Sequence, residues 1–163
     1  MGFDIGGVLM DRKLALPEAP EFLRWVIAKV GVDQCFIISR INHFSSISRR
    51  CSQLSNAQIM QPPADQMFFC TGHYGERGKG RIANHLGLDL FIDNQLRHLT
   101  DIFQECDPVT YMRNAPHLLL FQPSRNDVQQ YHSLPNAIRS RIIIVNTFGA
   151  AKDAIEHFLQ SQM

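Results

Sequence analysis

Short runs of apolar residues alternate with longer amphipathic segments along this chain of 163 residues. The apolar runs predict strands, and all but the first lack polar alternation, as expected where both faces of a sheet are covered. The predicted strands are Gly2–Ile5, Cys35–Ile38, Gln66–Cys70, Asp89–Ile92, His117–Phe121 and Arg141–Asn146. Strands separated by helical segments are typical of a parallel sheet with crossover helices. The pattern therefore predicts an α/β fold, a mostly parallel sheet with helices on both faces.

The amphipathic segments predict four helices. In the first, Pro20–Val30, the apolar residues share one helical face, and Gly31 ends the helix. The others are Lys79–Leu86, about Gln95–Gln104, and Ala150–Gln160. The stretch from about 45 to 65 is rich in Ser, Gln and Pro, which predicts a small irregular insertion with one short helix. We therefore expect a single domain over residues 1–163.

Composition narrows the class of protein. Lys and Arg number 16 against 15 Asp and Glu, for a net charge of +1, so the overall charge indicates neither nucleic acid nor an anionic membrane as a partner. No apolar run approaches the roughly twenty residues of a membrane span, and the N-terminus lacks the pattern of a secretory signal. The four cysteines have no CxxC spacing, which favours reduced thiols in a cytoplasmic protein.

An acidic residue and a pair of glycines follow the first apolar run, in Phe3-Asp4-Ile5-Gly6-Gly7-Val8-Leu9. Ligands of open α/β sheets bind beyond the carboxyl ends of the strands, where Asp4 is expected, and glycine lets the backbone approach a ligand closely. An Asp that caps an ordinary turn explains this segment equally simply. Further segments are needed to decide between the two.

This segment resembles the first motif of the haloacid dehalogenase-like (HAD) superfamily of phosphatases and related hydrolases. The family's three further motifs have counterparts in the same order. They are an apolar strand ending in Ser (Cys35-Phe36-Ile37-Ile38-Ser39), a Lys before a helix (Gly78-Lys79-Gly80-Arg81), and an apolar strand ending in an acid (Leu90-Phe91-Ile92-Asp93-Asn94). The resemblance covers the chain from Phe3 to about Phe121.

The resemblance implies a Mg2+-dependent phosphohydrolase that acts through an aspartyl-phosphate on Asp4. The oxygen ligands of Mg2+ would come from Asp4, Asp93, Asn94 and the backbone carbonyl of Gly6. Ser39 and Lys79 would donate to the phosphoryl oxygens, with Gly7 and Arg40 also binding the substrate. The expected partner is a phosphorylated small molecule or a larger phosphoester.

Each of these residues also has a structural explanation. Ser39 could satisfy a turn at a strand end, Lys79 could lie on a mobile surface loop between two glycines, and Asp93 could cap a helix. Their joint order along the chain favours the functional interpretation.

Two departures from the family pattern support a second hypothesis. Gly6 stands where these phosphatases carry a second Asp, the general acid and base, and Asn94 replaces the second acid of the last motif. The alternative is a catalytically weak or inactive domain that binds a phosphorylated ligand or a protein partner. In an active enzyme, the substitute acids suggested by sequence position are Asp11, His43 and His73.

Three minor features complete the prediction. The first strand is short, so either the reading frame is truncated or the strand is abbreviated. The glycine-rich stretch from Gly72 to Gly80 lacks the spacing of a phosphate-binding P-loop. The histidines lack zinc-site spacing, and His85 and His98 are expected on helix surfaces.

Overall fold

A six-stranded parallel sheet forms the centre of the molecule. The structure is a computed structural model and describes residues 1–59, 64–71, 78–104 and 117–161. The strands of the sheet are β1 (Gly2–Phe3), β4 (Phe36–Ile41), β5 (Met67–Thr71), β6 (Leu90–Asp93), β7 (His117–Phe121) and β8 (Ile142–Val145). Their order across the sheet is β5-β4-β1-β6-β7-β8, and every neighbouring pair is parallel. The predicted α/β fold with a parallel sheet is confirmed.

Helices cover both faces of the sheet. They are α1 (Ala19–Val30), α2 (Ile47–Asn56), α3 (Gly78–His85), α4 (Leu96–Thr100), α5 (Arg125–Ser133), α6 (Asn136–Arg139) and α7 (Phe148–Ser161). Phe22 of α1 and Phe148 of α7 pack together on one face, with ring centroids 4.9 Å apart. On the other face, Ala83 of α3 and Leu99 of α4 belong to a second apolar cluster. The strands are mostly apolar because helices exclude water from both faces over most of the sheet.

Several boundaries differ from those the sequence predicts. The segment expected as one helix from Gln95 divides into α4 and a 3-10 helix, Asp101–Gln104, and the short helix expected between 45 and 65 is α2. Strand β4 continues to Ile41, so Ser39 lies inside the strand and not after it. Two short strands, β2 (Met10–Asp11) and β3 (Leu14–Ala15), form a hairpin that the sequence analysis did not predict. Among the described residues, no helix combines the length and apolarity needed to cross a lipid bilayer.

The strand order creates a crevice beside the central strand. From β1 the chain builds outward through β4 and β5, then returns across β1 to β6 and builds outward on the other side. In doubly wound sheets, ligands bind outside the carboxyl ends of the strands at the point where the direction reverses. Here that point lies between β1 and β6, the strands that precede Asp4 and end at Asp93.

Candidate functional site

A buried lysine lies between two buried aspartates at this crevice. The Nζ of Lys79 is 2.8 Å from Oδ1 of Asp4 and 2.7 Å from Oδ2 of Asp93. The register of β1 and β6 pairs Phe3 with Ile92, so the two aspartates follow side by side. All three residues are almost inaccessible, with exposed fractions of 5% for Asp4, 2% for Lys79 and 0% for Asp93. Three ionisable groups are therefore buried in the interior. Burying a charge lowers the stability of the fold unless an opposite charge compensates it.

Backbone groups fix the two carboxylates. The Ile5 amide donates to Oδ1 of Asp4 at 2.8 Å, and the Gln95 amide donates to Oδ1 of Asp93 at 2.9 Å. Oδ1 of Asp4 thus accepts from the Ile5 amide and also contacts the ammonium of Lys79. Its Oδ2 lies on the side of Gly6, 4.0 Å from where a Cβ of that residue would stand. One oxygen of Asp4 is thus anchored while the other faces the glycine pair.

Two glycines bring α3, and with it Lys79, close to the sheet. A Cβ at Gly80 would lie 2.6 Å from the backbone nitrogen of Ile102, and one at Gly78 would lie 2.9 Å from Cβ of Cys70. Side chains at these positions would push α3 away from its neighbours. The glycines that flank Lys79 therefore serve close packing, and the alternative of a lysine on a surface loop is wrong.

The three charges strongly influence one another. Burial raises the pKa of Asp4, the charge of Asp93 raises it further, and Lys79 opposes both effects. Burial likewise raises the pKa of Asp93, against the opposing charge of Lys79. Burial alone would lower the pKa of Lys79, but the charges of Asp93 and Asp4 outweigh it, so this pKa is raised. Two carboxylates and one ammonium retain one net negative charge, which a further cation would balance.

The residues around this charge include oxygen atoms of the kind that Mg2+ binds. Oδ1 of Asn94 is buried and, in the part of the chain described, has no hydrogen-bond partner, so its lone pairs are available to a cation. No cluster of three or more His, Cys, Asp or Glu side chains suited to a metal occurs among the described residues. The predicted set, however, includes only two carboxylates, and Mg2+ commonly completes its shell with carbonyl oxygens and water. The magnesium site stays a prediction.

A cavity of about 230 Å³ opens above the buried charges. Its lining includes six of the candidate residues predicted from the sequence: Asp4, Gly6, Ser39, Arg40, Lys79 and Asn94. Asp93 is fully buried and is not part of the lining. Gly7 is not part of the lining either. At φ 77° it makes room for the Asn94 side chain, since a Cβ there would lie 2.1 Å from Nδ2 of Asn94. Its predicted contact with the substrate stays a prediction.

Four further residues line the cavity and were missed by sequence reasoning: Arg50, Gln95, Arg97 and His98. The sequence held a signal for three of them: Gln95, Arg97 and His98 closely follow Asp93, and this proximity could have identified them as residues of the site. Arg50 comes from α2, inside the segment interpreted as an irregular insertion, and nothing in the local pattern marked it. In the described part of the lining, four cations (Arg40, Arg50, Arg97 and Lys79) stand against one acidic residue, Asp4, so the cavity suits an anion.

The prediction that His98 lies on a helix surface is wrong. This residue is 3% exposed, and its Nε2 is 3.1 Å from Oε1 of Gln95. Because that oxygen is an acceptor, which also receives Nε–H of Arg97 at 2.9 Å, we assign the ring proton to Nε2. Nδ1 is buried without a partner in the described residues. Burial, reinforced by the charge of Lys79, lowers the pKa of His98 to about 3, so the ring is neutral at pH 7.

Two of the three substitute acids suggested by sequence position do not line the cavity. Asp11 and His43 are exposed and absent from its lining. His73 lies outside the described residues. His85 is exposed on α3, as predicted.

A larger groove of about 550 Å³ adjoins the cavity and shares Asn94, Gln95 and Arg97 with it. Its other lining residues include the carboxamides of Gln122, Asn126 and Gln130. Carboxamides both donate and accept hydrogen bonds, so this groove suits polar groups.

Comparison with known proteins finds a similar fold but no matching family. No model of a known protein family matches the chain, and no curated protein matches it. Among solved structures, the chain is similar to the solution NMR structure of a de novo designed Rossmann 3x3 fold protein. The TM-score is 0.51 at 17% sequence identity, over 96% of this chain and 92% of that chain. The similarity supports a Rossmann-like α/β fold and carries no information about function.

Proposed function

We propose that this protein is a HAD-like phosphohydrolase that uses Mg2+ and forms an aspartyl-phosphate on Asp4. The observation that carries the proposal is the buried Asp4–Lys79–Asp93 cluster beneath an arginine-lined cavity at the reversal point of the sheet. Structural ion pairs are usually placed at the surface, since burying three charges costs stability. Charges buried under an open cavity are instead typical of functional sites.

In the proposed first step, Oδ2 of Asp4 attacks the phosphorus atom in line with the ester oxygen, and the P–O bond to the leaving group breaks. The hydroxyl of Ser39 and the guanidinium of Arg40 donate to the phosphoryl oxygens. Lys79 holds Oδ1 of Asp4, so the attacking oxygen keeps its orientation. The leaving group occupies the adjoining polar groove.

In the second step, water attacks the phosphorus of the aspartyl-phosphate, which releases inorganic phosphate and restores the Asp4 carboxylate. When bound by Asp4, Asp93, Asn94 and the carbonyl of Gly6, Mg2+ would neutralise the repulsion between carboxylate and phosphate. The orphaned Oδ1 of Asn94 supports this ligand set.

A second candidate function is binding of a phosphorylated ligand or protein partner without turnover. One observation favours it: in the described residues, Asp4 is the only acidic side chain that lines the cavity. Gly6 therefore has no evident replacement as general acid, and general acid–base help is typically worth about 10²–10⁴ in rate.

Hydrolysis of p-nitrophenyl phosphate with and without Mg2+ tests the proposal. We expect Mg2+-dependent release of phosphate that Asp4→Asn reduces on the order of 10⁴-fold, while Asp11→Asn, a matched change of an exposed aspartate, has no effect. Full activity of Asp4→Asn would exclude the aspartyl-phosphate mechanism. Phosphate binding by calorimetry without any turnover would favour the second candidate.

A further inference from the structure

A second, smaller cavity lies beside the candidate catalytic cavity. Its volume is about 90 Å³, and its lining includes Arg40, Asn42, Ser46, Arg49 and Arg50. We call it the arginine pocket. Arg40 and Arg50 line both cavities, so the two spaces meet at these side chains.

The charge of the arginine pocket is uncompensated within the described chain. No acidic side chain is part of its described lining. No ion pair between described residues involves Arg40, Arg49 or Arg50. Arg50 donates from Nη1 to the neutral carboxamide of Gln53 at 3.3 Å. Three guanidinium groups without a carboxylate repel one another unless an anion lies between them.

The position of two of these arginines adds to that repulsion. Arg49 and Arg50 lie in the first turn of α2, at the positive end of the helix dipole, where the Ile47 amide donates to the Phe44 carbonyl of the preceding 3-10 turn. That turn contains no acidic residue, and Ser46 makes no side-chain cap hydrogen bond. Cations are unfavourable at this end of a helix, so the arrangement sacrifices stability that a bound anion would restore.

We propose that the arginine pocket holds a second anionic group of the substrate. This inference rests on the proposed function for the reacting phosphoryl group and specifies the substrate class: a small phosphoric ester that also carries a phosphate or a carboxylate a few bonds from the ester. A guanidinium has five N–H donors in a planar fork. Arg40 and Arg50 can therefore contact the reacting phosphoryl group on one side and the second anion on the other. The small volume of the pocket suits one compact oxyanion.

Binding of three phosphonates that cannot be hydrolysed tests the inference. Methylphosphonate carries one anionic group, phosphonoacetate adds a carboxylate, and methylenediphosphonate adds a second phosphonate. We expect calorimetry in saturating Mg2+ to show at least one of the two longer compounds binding about tenfold or more tightly than methylphosphonate. Whichever of the two longer compounds binds more tightly identifies the second group: phosphonoacetate indicates a carboxylate, and methylenediphosphonate indicates a phosphate.

Arg49→Gln provides the specific variant, because Arg49 lines the arginine pocket and not the catalytic cavity. We expect the Arg49→Gln variant to bind the longer phosphonates with affinities within about twofold of its affinity for methylphosphonate. Arg24→Gln, a matched change on α1, should retain the preference. Chelation of Mg2+ by methylenediphosphonate affects all variants equally and so cancels from this comparison. Arg49→Gln should also unfold at the same or a higher urea concentration than wild type in anion-free buffer, which excludes misfolding as the cause.

Two results would overturn the inference. One is equal affinity of the wild type for all three phosphonates. The other is tighter binding of a 5′-phosphorylated oligonucleotide than of either longer phosphonate, which would assign the arginines to a nucleic-acid end. If the wild type hydrolyses p-nitrophenyl phosphate but binds all three phosphonates equally, this inference is rejected and the proposed function stands. Absence of both hydrolysis and methylphosphonate binding rejects the proposed function.

Discussion

Lys79 is the residue on which the charge of the site depends. It is the cation that contacts both Asp4 and Asp93, and all three are buried. If Lys79 is removed, two carboxylates remain together in the interior without that cation. Burial and mutual repulsion then keep their pKa values above the ordinary range.

We expect Lys79→Met to lower the free energy of unfolding by about 3–5 kcal/mol at pH 8, the cost of leaving a buried partner unpaired. The loss should be smaller at pH 5. Carboxylates with raised pKa values bind protons in the native state before the unfolded state does, so the variant regains stability as the pH falls. Urea unfolding at both pH values measures this.

Lys29→Met is the control for this measurement. Lys29 is a surface lysine of α1 that contacts Glu156 at 3.1 Å, with about half of its side chain exposed. Such pairs contribute about 0–1 kcal/mol. A similar loss in both variants would show that the Asp4–Lys79–Asp93 cluster is not energetically special.

His98 gives stability an opposite dependence on pH. Its native pKa of about 3 lies below the ordinary value of 6.5, so between these values the unfolded state binds the proton and the native state does not. Stability therefore falls as the pH decreases below about 6.5. We expect wild type to lose about 1.4 kcal/mol more than His98→Gln between pH 7.5 and pH 5.5. The measurement is the urea midpoint at the two pH values, and His132→Gln, a change of an exposed histidine of α5, should behave like wild type.

The sequence indicated some residues of the site and not others, for a physical reason. Asp4 directly follows an apolar strand, and Ser39 and Asp93 lie in apolar strands, so the parallel sheet brings all three to one edge. Arg50 and His98 lie on helices, and which helical face turns toward the cavity depends on packing between elements. Such packing has no short-range signal in the sequence.

At the scale of elements, Asp127 connects α4 to α5. Its Oδ1 accepts from the Leu96 amide at the start of α4, at 3.1 Å. Its Oδ2 accepts from the Ser124 amide at 3.3 Å and from the Ser124 hydroxyl, which completes a capping box at the start of α5. One carboxylate therefore fixes the beginnings of two helices, and the first of them carries Arg97 and His98.

We expect Asp127→Asn to destabilise the protein by about 1–2 kcal/mol, because an amide group offers one acceptor oxygen where the carboxylate offers two. Asp153→Asn, the same change at an exposed position of α7, should remain within about 0.5 kcal/mol of wild type. Urea unfolding compares the two. Equal stability of the two variants would mean that Asp127 does not contribute through these hydrogen bonds.

Elements with several buried residues were predicted, whereas α5, α6 and the β2–β3 hairpin, each with at most one buried residue, were not. The central strands and α1 show apolar patterns because they enclose the core. Helices α5 and α6 contain no fully buried residue, so no apolar stripe marked them. The β2–β3 hairpin turns at Arg12, which has a φ of 52°, and no Gly or Asn there announced a turn.

At the scale of the whole molecule, fold and site have separate origins. A designed protein that is 17% identical has a similar Rossmann-like architecture. The alternation of apolar strands and amphipathic helices is therefore sufficient for the architecture. The proposed chemistry depends instead on a few polar residues at the carboxyl ends of β1, β4 and β6, which the architecture brings together but does not specify.

The absence of an acid at Gly6 has a consequence for the choice of substrate. Asp4, the proposed nucleophile, is the only acidic side chain of the described cavity lining, and the carboxylate of Asp127 in the neighbouring groove is engaged by Leu96 and Ser124. His98 is neutral, and its Nδ1 can accept a proton but has none to donate. Lys79 carries protons, but the charges of Asp93 and Asp4 raise its pKa and make it a poor acid. The described lining therefore offers neither a carboxylic acid nor an imidazolium to the leaving group.

We expect kcat/KM for aryl phosphates to exceed that for alkyl phosphates by about 10²–10⁴, since a poor leaving group needs a proton in the transition state. The measurement is a series of phosphate esters whose leaving groups differ in pKa, assayed with wild type and with Asp11→Asn. A steep dependence that is equal in both proteins supports catalysis without a general acid. Equal rates across the series would show that a substitute acid exists, and a dependence that becomes steep only in Asp11→Asn would identify Asp11 as that acid despite its exposed position.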